Sequence, residues 1–219
     1  MKNILNFFKC LLPLIVGLGL QLVIGTAFSI FLTAQVSMQM SGASTAEIQA
    51  ETLARYMQAA PLLILISHIV TIFVAYIWFY YASDKKRPGN PVKGFSFLTI
   101  PAMLLCMAGL QYTCSGLLMV LSNLAPDMLT GYVQLLESSG LNNLEPGTVI
   151  ATVIFAPIGE ELLFRGLTLS FAKKLTSKFW IANLLQATCF GIFHANIIQG
   201  IYAAIMGLVF GYVAEKYKS

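Results

Sequence analysis

The chain has 219 residues, of which 58% are hydrophobic and only 10% charged. Soluble domains carry about 25% charged residues, so this composition excludes an ordinary soluble enzyme and points to the membrane class. The net charge of +4 is small, and it informs through its placement.

A membrane-spanning helix needs about 20 mostly apolar residues. Six segments meet that length or come near it: 11–34, 59–82, 97–121, 148–170, 179–198 and 200–214, the last being the shortest. The first apolar run is longer than the ~7–15 residues of a signal-peptide core, and no clean small-residue cleavage site follows, so a retained span is expected. The connection 35–58 holds Glu47, Glu51 and one base, Arg55. The next, from Asp84 to Pro91, is basic. Residues 122–147 hold Asp127, Glu137 and Glu145 with no base, and have room for a short surface helix. Lys173, Lys174 and Lys178 form a second basic connection, and Lys2, Lys9, Lys216 and Lys218 mark the two ends. Counting Lys93, eleven of thirteen basic residues fall on one side. The excess of Lys and Arg on cytoplasmic loops then puts both termini in the cytoplasm. The expectation is an all-α, polytopic integral membrane bundle of about six transmembrane helices, folded as a single domain over 1–219.

Cys10, Cys106, Cys114 and Cys189 all sit in apolar segments without metal spacing and read as small buried residues. Tryptophan and tyrosine cluster near segment ends, as at Trp78 and Trp180, which suits an interfacial aromatic belt. Ala203, Gly207 and Gly211 form a small-residue stripe suited to close helix packing. Pro157 and Gly159 suggest a kinked or loosened fourth span. Such backbone is tolerated at membrane depth where protein or a polar cavity satisfies it.

The fourth span carries the unusual chemistry: Ile158-Gly-Glu160-Glu161-Leu-Leu-Phe-Arg165-Gly166. An ionised side chain at a bilayer centre costs about 2.5–3.5 kcal/mol on insertion scales, so these three should face protein or a polar cavity. Glu161 and Arg165 are four apart and share a helical face. Glu160 is rotated about 100° away, which leaves it free for other work. One reading makes all three a salt-bridge network that fixes packing. The other makes Glu160 a general base working near neutral pH. His194, in the fifth span, is its natural partner: together they could activate a water, or share a metal. His194 alone could also be an interhelical hydrogen-bonder. His68, in the second span, is either a buried polar contact or a third member of the site.

These residues resemble a known family. Glu160-Glu161-x3-Arg165 followed by Phe190-x3-His194 is similar to the first two motifs of the CAAX-protease and bacteriocin-processing family of intramembrane proteases. The wording around both motifs is also similar, as is the downstream Gly-Leu-Val-Phe-Gly-Tyr, and the likeness covers 148–214. It implies a polytopic membrane endopeptidase in which Glu160 and His194 are catalytic and Glu161, Arg165 and Phe190 support them. Members are described both as zinc enzymes and as glutamate-driven hydrolases. On the zinc description the cofactor is zinc and its ligands would be Glu160 and His194, with His68 as the third on its chemistry. The family's usual third motif, His-x3-Asn or His-x3-Asp, does not occur: Ile198 stands four residues past His194 and Ile72 four past His68. Glu160 and His194 supply two of the three protein ligands that a catalytic zinc takes, so His68, Glu161, Asn196 or a second chain would have to supply another.

Two functions follow as expectations. The first is an intramembrane endopeptidase acting on a membrane-associated protein or peptide. The second is a catalytically inactive relative serving as membrane partner, regulator or bacteriocin self-immunity protein. A small transporter is a third and weaker fit, because no repeat supports alternating access. The expected partners are the lipid bilayer and the substrate, with no nucleic acid, and the expected location is a bacterial cell membrane. Counted from their outer ends, Glu160 lies about 12 residues and His194 about 4–6 residues along their helices, an expected mismatch of roughly 10 Å in depth.

Overall fold

The computed structural model describes residues 2–82, 97–138 and 146–217. Among these residues every regular element is a helix. The elements are α1 (Lys2–Gln39), α2 (Thr45–Ala82), α3 (Thr99–Leu124), α4 (Pro126–Ser138), α5 (Pro146–Leu175), α6 (Phe179–Phe193) and α7 (Ile197–Tyr217). Five of them, α1, α2, α3, α5 and α7, are long and apolar enough to cross a membrane. Large apolar side chains such as Leu22, Phe31, Phe73 and Leu104 are exposed, and α3 buries none of its residues. A soluble monomer rarely leaves so much apolar surface uncovered. The basic run from Asp84 to Pro91, Lys93, Glu145 and Lys218 lie outside the described residues.

Three expected boundaries move. The first two spans do not stop at 34 and resume at 59. The polar residues between them are helical except for a short turn at 40–44. Gly42 takes φ +101° there, a conformation that costs glycine little. Ser44 and Glu47 then cap α2 reciprocally: the Glu47 carboxylate accepts from Ser44 N–H at 2.8 Å, and Ser44 Oγ accepts from Glu47 N–H at 3.3 Å. Arg55 ties the two arms together, donating to Glu51 and to Gln39, both at 2.7 Å. At 38 residues each, α1 and α2 run roughly 57 Å, well beyond a hydrocarbon core of about 30 Å. The third moved boundary is in the fifth segment, which ends at Phe193 rather than 198, while the sixth is longer than expected, at 21 residues. The break falls at 194–196, where Ala195 takes φ +51°. Asn196 caps α7 by accepting from Gln199 N–H at 3.1 Å.

Contacts between the ends set the topology. Asn6 near the start of α1 donates to the Lys174 carbonyl at the end of α5, and Lys173 pairs with Glu215 at the end of α7. These basic ends of α1, α5 and α7 therefore share one end of the bundle. α4 docks on α7 through a Tyr132–Tyr202 hydroxyl pair at 2.8 Å. The core between them is formed by Leu14 of α1, Ala75 of α2, Leu163 and Phe164 of α5, and Phe190 and Phe193 of α6.

The tightest crossing joins α6 to α7. A Cβ placed on Gly191 would lie 2.6 Å from the Gly200 carbonyl oxygen, and one on Gly200 would lie 2.9 Å from the Gly191 carbonyl oxygen. Gly207 sits against the Ala187 backbone, and Gly211 against Asn183 and Gln186. The stripe Ala203, Gly207, Gly211 thus packs as its spacing suggests. Where the small residues bare the α7 backbone, Asn183 donates to the Leu208 carbonyl at 2.8 Å and Gln186 to the Gly207 carbonyl at 2.7 Å. Replacing Gly191 by valine is expected to lower the unfolding midpoint in detergent clearly, since overpacking costs about 1–3 kcal/mol or more where backbone is the obstacle. Gly109→Ala on α3, where a Cβ meets nothing within 4 Å, is expected to leave that midpoint unchanged or slightly raised.

Candidate active site

The conformation of α5 is irregular around its acids. Ala151–Phe155 and Glu161–Thr168 are π-helical, and the α-helical turn Ala156–Glu160 lies between them. Pro157 has no N–H for the carbonyl four residues back, and the turn before it widens. The second π segment is carried through its end: Leu169 N–H donates to the Phe164 carbonyl, five residues back. Thr168 Oγ1 does the same to the Leu163 carbonyl at 2.9 Å. The loosening expected from Pro157 and Gly159 takes this form, and π turns of this kind recur at functional sites.

The two glutamates separate as the helical period suggests. Glu161 Oε1 lies 3.4 Å from Arg165 Nε. The Arg165 side chain is 3% exposed, whereas that of Glu161 is 51% exposed. The guanidinium lies between aromatic faces, 4.4 Å from the Phe190 ring centre and 5.3 Å from that of Phe210. Its three nitrogens make no hydrogen bond among the described residues. Phe190 therefore supports the arginine, and it also packs on Phe164 at 5.1 Å and on His194 at 4.9 Å.

Glu160 turns to the other side, into a cleft of about 690 Å³ that His68 and His194 also line. All three acid–base candidates thus meet one cavity, built by α1, α2, α5 and the turn between α6 and α7. The depth mismatch expected from outer helix ends is absent, for a simple reason. The two helices meet at the turn 176–178, and Glu160 is 15 residues before the end of α5 while His194 is 15 residues past the start of α6. At about 1.5 Å per residue, both stand roughly 20 Å above that shared turn. The short α6 is what brings His194 level.

His194 is the cap residue of α6, and its Nδ1 lies 2.9 Å from the Phe190 carbonyl oxygen. A carbonyl only accepts, so Nδ1 carries the proton. In the neutral ring Nε2 then holds a lone pair, able to accept from water or to bind a metal. Fixing a ring tautomer through one hydrogen bond is the usual way a catalytic imidazole is oriented. Asn196, a possible extra ligand by sequence, is engaged in capping α7. Among the described residues no three His, Cys, Asp or Glu side chains converge as a metal-binding group. Glu160, His194 and His68 share the cleft without forming such a set.

Sequence reasoning missed Gln21, Tyr56, Ser67 and Gln199, which also line the cleft. It also missed Asn183 and Gln186, both fully buried. Apart from Tyr56, which lies on the polar arm of α2, their common signal is an amide or hydroxyl inside an apolar run, which in hydrocarbon needs a partner or a cavity.

Residues 142–219 match the sequence model of the family described as type II CAAX prenyl endopeptidase Rce1-like. The match covers about the C-terminal third of the chain, which is thus similar to that family. That segment contains both motifs, and the resemblance first read from Glu160-Glu161-x3-Arg165 and Phe190-x3-His194 agrees with it. Comparisons with curated proteins and with solved structures gave no match. Within the Rce1-like segment the structure separates two tasks: Arg165 with Phe190 and Phe210 forms a buried brace, and Glu160 with His194 faces the cavity.

Arg165→Ala is expected to lower stability by about 2–4 kcal/mol, mainly by emptying the space between Phe190 and Phe210. The orphaning of Glu161 counts for little because that carboxylate is half exposed. Arg165→Met should recover most of the loss, since it refills the volume without a buried charge. Thermal unfolding of the three proteins in one detergent checks this order.

Proposed function

We propose that the chain is an intramembrane endopeptidase, hydrolysing a peptide bond of a membrane-associated protein or peptide with a water held between Glu160 and His194. The observation that carries this reading is that Glu160 and His194 line one cleft, within the segment that is similar to the Rce1-like family. The family description is that of an endopeptidase, and the paired residues suit general-base hydrolysis.

The step follows from their chemistry. Glu160 takes a proton from the water as its oxygen attacks the scissile carbonyl carbon. His194 Nε2 accepts the second O–H and orients the attack. The carbonyl π electrons move to oxygen, giving a tetrahedral intermediate. When they return, the C–N bond breaks and the proton held by Glu160 passes to the departing nitrogen. A new carboxyl group and a new amine result, with no net change at the enzyme. The uncharged amides and hydroxyls around the cleft, Gln21 and Tyr56 among them, are suited to hold the peptide while water is limited.

The placement of basic residues favours both termini on the cytoplasmic side of a cell membrane. That puts the basic turn at 176–178 inside and the capped α1–α2 turn outside.

A second reading keeps the same architecture without catalysis: a membrane partner, regulator or self-immunity protein. The Arg165 brace between Phe190 and Phe210, a packing device that needs no catalysis, favours it. Glu160→Gln separates the two. In host membranes carrying matched amounts of wild type and variant, mass spectrometry of protein N-termini is expected to find cleavage products that fall at least ~100-fold in the variant. Identical N-termini, with the protein folded and abundant, would reject the peptidase.

A further inference from the structure

A second cavity of about 590 Å³ lies between α1 and α2. It shares Gln21, Gly25, Leu53 and Tyr56 with the Glu160 cleft, so the two form one groove. Its far end is marked by Ser29 and Gln49, on the arms that lead to the capped turn at 40–44. From Gln49 to His68, α2 advances 19 residues, or roughly 28 Å. An extended peptide advances about 3.3 Å per residue, so the groove matches about eight residues.

Among the described lining residues Glu160 is the only acid, and none is lysine or arginine. A charge on a peptide lying above Glu160 would therefore lose water without gaining a counter-ion. The lining alternates amides and hydroxyls with apolar side chains: Gln21 and Gln49 can each donate to and accept from a peptide backbone, while Leu22 and Ile30 offer apolar contacts. The fit is to an extended main chain with uncharged side chains.

From this continuity we infer that the α1–α2 hairpin is the substrate-binding arm. It receives an extended, uncharged peptide segment of about eight residues from the end of the bundle opposite the basic turn, and leads it down to Glu160. The inference rests on the peptidase reading. It adds the substrate class and the direction of approach.

The waist of the groove provides one test. A Cβ on Gly25 would stand 3.1 Å from the Tyr56 hydroxyl, so a leucine there fills the passage. The mouth provides another, because Gln49 is exposed and tolerates a charge without refolding. The probe is a quenched fluorescent peptide carrying the eight uncharged residues beside the bond mapped by N-terminal analysis, and a second form with one lysine near the outer end. With full-length protein in detergent, the lysine is expected to lower kcat/KM at least ~10-fold. Gln49→Glu should restore most of that loss, and Gly25→Leu should raise KM at least ~10-fold for the uncharged peptide. Charge rescue at Gln49 is a readout that a purely structural role would not give, and it stands even if Gly25→Leu fails to fold. Cleavage indifferent to the lysine and to Gln49→Glu, yet abolished by Glu160→Gln, would overturn the route and leave the peptidase intact. Cleavage untouched by Glu160→Gln would overturn both.

Discussion

The contact between the backbones of Gly191 and Gly200 fixes the geometry on which the site depends. Two helices in lipid gain little from excluding water, so their association rests on close packing and on hydrogen bonds to bared backbone. Here α6 and α7 approach until carbonyl and glycine touch, and Asn183 and Gln186 bond the carbonyls of Leu208 and Gly207. That seam holds α7 where Phe210 faces Arg165 and where the turn 194–196 points His194 into the cleft. A side chain at either glycine would part the helices and move both the brace and the imidazole.

The second constraint is local. α5 widens twice around Glu160, and its adjacent acids serve different neighbours. Glu161 looks to the arginine and partly outward, while Glu160 looks into the cavity. A regular helix would offer the same angular separation; what the π turns add is a five-residue pairing of Thr168 Oγ1 with the Leu163 carbonyl and of Leu169 N–H with the Phe164 carbonyl, which holds the rest of the segment in place. The arginine is then met by ring faces more than by hydrogen bonds, an arrangement that suits guanidinium better than the more strongly hydrated ammonium of lysine.

Much of this was legible from sequence because hydrocarbon punishes mistakes. Glu160, Glu161 and Arg165 stood out as costly groups in an apolar run, and the four-residue spacing paired the right acid with the base. The small-residue stripe on α7 was legible for the same reason. Other features were not. Hydropathy reports which residues avoid water and says nothing about where a helix ends, so the polar arms of α1 and α2 were read as a connection, although Ser44 and Glu47 carry a capping signature. The same measure ran α6 through to residue 198, since Ile192, Phe193 and Ile197 are as apolar as the helix, while the break depends on Ala195 adopting a left-handed conformation. The depth of His194 was misjudged because it was measured from uncertain outer ends rather than from the short turn that both helices share.

That shared turn gives the site a distinct tolerance to changes in chain length. Because Glu160 and His194 are each set by 15 residues of helix from the same three-residue turn, the spacing works as a matched pair of rulers. Lengthening or shortening the segments that lead into α5 or away from α7 leaves both marks in place. One residue gained or lost between Glu160 and the turn, or between the turn and His194, shifts one mark by about 1.5 Å and swings it about 100°. A change of length within 160–194 is thus ruinous for the site, as it is along the glycine seam that continues to Gly211.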